Sequence, residues 1–67
     1  MENLIVVKKI MFDGSEIAID SARSYGEATI IVENYLAEGF KVNAYELNGK
    51  ESIRLNLVFW VVDQSTN

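Results

Sequence analysis

Apolar and polar positions alternate over most of this chain, and one interruption has a different period. Residues 4–12, Leu-Ile-Val-Val-Lys-Lys-Ile-Met-Phe, are rich in β-branched and long apolar side chains and predict a strand. Asp13-Gly14 follows, a dipeptide suited to a tight turn because glycine accepts positive φ. Glu16-Ile17-Ala18-Ile19-Asp20 then alternates, so residues 4–20 predict a hairpin. From Ser24 the period changes. Tyr25, Ala28, Ile31, Val32, Tyr35 and Leu36 fall on one face of a helix over about residues 25–38. Ser24 and Glu27 have the spacing of a capping box, and Gly39 stands where a left-handed helix stop belongs. Alternation resumes at Phe40 and runs to Leu47. Asn48-Gly49 marks a second turn, and a last strand runs from Glu51 or Ser52 to Val62.

The order is therefore β-β-α-β-β. One helix covers one side of a sheet of about four strands, which predicts an α+β, two-layer domain over residues 1–62 with an antiparallel sheet. Residues 63–67 read as a loose C-terminal tail. The pattern leaves open how the two hairpins pair with each other.

In the last strand, Ile53, Leu55, Leu57, Phe59 and Val61 share the face expected to meet the helix. The opposite face carries Arg54, Asn56, Val58, Trp60 and Val62, polar at its start and apolar at its end. In the first strand Leu4, Val6, Ile10 and Phe12 share one face and Ile5, Val7 and Met11 the other. A solvated sheet face is normally polar, so an apolar surplus remains, placed at Ile5, Val7, Met11, Val58, Trp60 and Val62. Three readings of it stand. The face joins two copies of the chain or lies partly under the tail. It docks a different protein, with Trp60 as anchor. Or the two faces of a strand apolar on both sides are exchanged. Arg54, Asn56, Val58, Trp60 and Val62 are the candidate partner-binding residues. On the polar side of the helix Glu27, Glu33 and Glu38 surround Ile30, a second candidate surface.

Composition narrows the function. The chain has 67 residues, 49% hydrophobic and 24% charged, with ten acidic and six basic residues and a net charge of −4. A domain this small has a marginal core. There is no Cys, His or Pro. Disulfides, Cys/His zinc sites, thiolate chemistry and imidazole acid–base catalysis are thereby excluded. The five serines have no His to activate them. Lys8 and Lys9, adjacent in a strand, point to opposite faces. Asp13-Gly14-Ser15-Glu16 lacks the ligand spacing of a calcium loop, and the isolated glycines form no phosphate loop. No enzyme activity, cofactor or metal is expected. The six basic residues are scattered, which argues against direct nucleic-acid binding, although the carboxylates could mimic nucleic acid toward a basic groove. The first nine residues lack a signal-peptide pattern, and the longest apolar run, residues 57–62, is far short of the about 20 a membrane helix needs. A cytoplasmic protein without a membrane anchor is the expectation.

Over residues 22–42 the chain reads Ala22-Arg23-Ser24-Tyr25-Gly26-Glu27-Ala28, then Val32-Glu33, Tyr35 and Glu38-Gly39-Phe40-Lys41-Val42. This third of the chain resembles the helix and following strand of the small inhibitors of host RNA polymerase from T7-like phages, and is similar to other small phage inhibitors, including some anti-CRISPR proteins. The resemblance implies a non-enzymatic phage or mobile-element protein that occludes a host nucleic-acid enzyme or defence complex, acting in the cytoplasm of a bacterial host. That polymerase-inhibitor family carries arginines in the strand after the helix. Here the strand reads Val42-Asn43-Ala44-Tyr45-Glu46, so those contacts are not carried over. Two other function classes remain: a homodimeric structural or accessory protein of a phage, and a small nucleic-acid-binding regulator.

Overall fold

Residues 4–55 are described by a computed structural model of the chain. In chain order the elements are β1 (Leu4–Ile10), β2 (Glu16–Ala22), α1 (Tyr25–Ala37), β3 (Val42–Asn48) and β4 (Glu51–Leu55). The four strands form one antiparallel sheet in the order β2-β1-β3-β4. The two hairpins therefore join through their first strands, which settles the pairing that the sequence left open. The helix links β2 to β3 and packs on β1, β2 and β3, giving the expected α+β arrangement of a sheet with a helix on one face.

Each junction has a local cause. In the first hairpin Gly14 adopts φ +90° and its N–H donates to Met11 O at 3.0 Å. Asp13 Oδ1 accepts from both the N–H (3.0 Å) and the hydroxyl (2.7 Å) of Ser15, so the turn is held by its own side chains. The second hairpin closes one residue later than Asn48-Gly49 alone implies. Asn48 pairs with Glu51, so Gly49 and Lys50 are the two loop residues. Gly49 has φ +64° and Lys50 does not have positive φ, the pattern of a type II′ turn.

At the helix start the Ser24 hydroxyl accepts from Glu27 N–H at 3.1 Å. Glu27 reaches back to Arg23 N–H at 2.8 Å, one residue beyond the cap itself. At its end Gly39 (φ +93°) donates to Leu36 O and Phe40 N–H to Tyr35 O, the paired bonds of a Schellman motif. The Tyr35 and Phe40 rings, 6.1 Å apart, supply the apolar contact that accompanies it.

The core lies between α1 and the sheet: Ile5, Val7, Ala22, Ala28, Val32, Val42 and Ala44 are buried, with Ile19, Ile31, Tyr35, Phe40 and Leu55 packed around them. Ile5 and Val7 are thus the centre of the core, which corrects their placement on a surplus face. The exchange follows from the pairing. Ile5 lies opposite Ala22, and Val7 opposite Ala44. These alanines, with Ala28 on the helix, let α1 approach closely over two large side chains. On the other face the larger side chains stand opposite one another, Val6 opposite Tyr45 and Leu4 opposite Leu47. Met11 is half-buried just beyond β1. Leu55 meets the core, as expected for that face of the last strand.

The helix is also rotated relative to its apolar stripe. Tyr25 and Leu36 are exposed, and Thr29 is buried instead. Burial of Thr29 leaves no orphaned group, because its hydroxyl donates to Tyr25 O at 2.8 Å.

Candidate functional site

The face of the sheet opposite α1 carries a row of apolar side chains that the helix does not cover. Side-chain alternation places Leu4, Val6, Lys8 and Ile10 of β1 beside Asn43, Tyr45 and Leu47 of β3 on it, with Ser52 and Arg54 of β4 at one margin. Leu4 and Leu47, directly paired, are 43% and 37% exposed, and Val6, Ile10 and Tyr45 are half-buried.

Polar groups organise this surface. The Tyr45 hydroxyl donates to Glu16 Oε1 at 2.6 Å, and Lys8 Nζ stands 5.2 Å from the centre of the Tyr45 ring. The ring is therefore fixed, with a cation over it and a carboxylate at its tip. The hydrogen bond to Glu16 raises the Tyr45 phenol above its ordinary value of 10.0, burial adds to that, and the Arg54 charge opposes it. No buried side-chain nitrogen or oxygen among the described residues lacks a partner.

Two other phenols are held by carboxylates on the helix side. Tyr25 donates to Glu46 Oε1 at 2.6 Å, joining α1 to β3, and Tyr35 lies 3.4 Å from Asp20 Oδ2, joining α1 to β2. Both phenols are raised, Tyr25 chiefly by its hydrogen bond and Tyr35 chiefly by burial. Part of the acidic excess thus serves as hydrogen-bond acceptors.

Of the candidate partner-binding residues, Arg54 is exposed on this open face, opposite Tyr45. Asn56, Val58, Trp60 and Val62 lie outside the described residues. Glu27, Ile30, Glu33 and Glu38 are all exposed on the outer side of α1 or at its C-cap, and Ile30 is 61% exposed. Glu27 is engaged at the helix cap.

The pattern reading missed two features. It assigned the open apolar rows to the wrong residues of the first strand. It also counted Phe12 in that strand, whereas Phe12 stands at the hairpin tip, fully exposed (112%). The signal for Phe12 was present: Asp13-Gly14 required a turn, and a turn needs residues before the glycine as well as after it.

Among the described residues no cluster of three or more acidic side chains could hold a metal ion, and no helix is long and apolar enough to cross a membrane. Comparison with family models, curated proteins and solved structures gives no match.

Proposed function

We propose that this chain is a non-enzymatic binding module that docks another protein on the open face of its sheet and acts by occlusion. The observation that carries the reading is the apolar ridge of Leu4, Val6, Ile10, Tyr45 and Leu47 on the side away from α1. Exposed apolar surface rimmed by polar residues is what protein interfaces use. Here the rim is Glu16, Lys8 and Arg54. Tyr45 is the anchor, because a ring fixed before binding loses little entropy on contact. The resemblance over residues 22–42 supports a host nucleic-acid enzyme or defence complex as the partner, with the chain as a phage-encoded inhibitor. The net charge of −4 fits a partner with a basic groove.

The test is affinity capture from a host lysate with the wild-type chain and with Leu4→Asp/Leu47→Asp. Stoichiometric capture of one complex by the wild type alone supports the reading. Equal capture by both, or none by either, removes it.

A further inference from the structure

The two edges of the sheet differ. β2, at one edge, is irregular: Val7 pairs with Asp20 but the next residue, Lys8, pairs with Ala18, so Ile19 is an extra residue. A bulge of this kind spoils an edge as a template for another strand. β4, at the other edge, pairs with β3 in unbroken register from Glu51 to Leu55 and contains no Pro or Lys. Among the described residues no strand pairs with its outer side.

The hairpin fixes which groups face outward. A two-residue turn closes on a mutually hydrogen-bonded pair, here Asn48 and Glu51, and such pairs alternate along an antiparallel ladder. Glu51, Ile53 and Leu55 therefore bond to β3, and the N–H and C=O groups of Ser52 and Arg54 point outward.

We infer that β4 pairs with β4 of a second copy, antiparallel and centred on Ile53. Residues directly opposite must share a sheet face, which restricts the register to steps of two. Centring on Arg54 sets two guanidinium groups against each other, and centring on Ser52 sets Lys50 against Arg54. Both place like charges opposite, which destabilises a sheet pair. Centring on Ile53 avoids this. Ile53, 43% exposed, meets its counterpart, and Ser52 and Arg54 exchange backbone hydrogen bonds with Arg54 and Ser52 of the other copy. The two-fold axis stands perpendicular to the sheet. The product is one eight-stranded sheet with both helices on one side and both open faces joined on the other. An edge of five residues buries less than the about 1,200 Å² of a standard stable interface, so the dimer is weak and concentration-dependent.

This inference is independent of what binds the open face. The test is sedimentation velocity over a concentration series, with amide hydrogen exchange on the same samples. The wild type should dimerise reversibly, and the Ser52 and Arg54 amides alone in β4 should gain protection as concentration rises. Ser52→Pro and Arg54→Pro each remove one outward N–H and no bond to β3. Each should weaken association by about tenfold or more, since the axis repeats every lost bond. Leu47→Asp, on the open face, should leave it unchanged. Circular dichroism checks that the proline variants fold, and the exchange pattern needs no variant. A wild type that stays monomeric, Ser52 and Arg54 protection independent of concentration, or a dimer lost in Leu47→Asp and kept in folded Ser52→Pro would each overturn the proposal.

Discussion

The Tyr45 hydroxyl reaches Oε1 of Glu16 at 2.6 Å across the full width of β1, since Tyr45 stands on β3 and Glu16 on β2. One side chain thus ties the two hairpins together on the face that the helix does not cover, and shapes the surface proposed to bind.

Alkaline pH should release this tie. The fold favours the neutral phenol of Tyr45, and those of Tyr25 and Tyr35, over the phenolate. A group raised in the folded state contributes stability that is full below its unfolded value, near 10.0, and is lost as pH rises through the folded value. Denaturant midpoints should therefore fall above that pH, and fall less steeply in Tyr45→Phe. Equal slopes in the two proteins would contradict the assignment.

Asp13 carries the opposite sign. The Ser15 hydroxyl and N–H hold its carboxyl below the ordinary 3.8, so its contribution is present above that value and disappears as pH falls through the folded value. In Ser15→Ala, carboxyl titration by NMR should show Asp13 moved up toward 3.8.

The exchange of the faces of β1 gives the sharpest mutational contrast. Ile5 is buried, so Ile5→Ala should cost about 2–5 kcal/mol, a large part of the stability of a domain this size. Leu4→Ala on the opposite face of the same strand, where Leu4 is 43% exposed, should cost well under that. Chemical denaturation measures both. Similar losses would mean that the core is elsewhere.

The ends of the helix should respond separately. Ser24→Ala removes the cap on Glu27 N–H and should cost about 1 kcal/mol. Gly39→Ala forces a side chain into φ +93° and should cost about 1–2 kcal/mol, although a Cβ there meets nothing. The two sites lie at opposite ends of α1, so the losses in the double variant should add, as read by thermal unfolding.

The architecture was legible because its signals are local. Ser24, Glu27 and Gly39 mark the ends of one helix, and Gly14 and Gly49 mark two turns, whatever the rest of the chain does. The faces of β1 were not, because Leu4, Ile5, Val6 and Val7 are apolar on both sides and alternation has no phase to read. Their phase is set by Ala22 and Ala44, small residues on neighbouring strands whose role depends on pairing. The rotation of α1 escaped for a related reason: Thr29 counts as polar until its hydroxyl is seen bonded to Tyr25 O. Of the candidate site, the sequence located Arg54 on the open face. It did not supply Tyr45 as the anchor, because the partners of that ring, Glu16 and Lys8, come from two other strands.

The central claim is that the open face, and not the acidic side of α1, holds the partner. Its most direct measurement is parallel capture from host lysate by the wild type, by Leu4→Asp/Leu47→Asp and by Glu27→Gln/Glu33→Gln. The account predicts one stoichiometric complex retained by the wild type and the helix variant and lost from the open-face variant. Retention by the open-face variant with loss from the helix variant would contradict it.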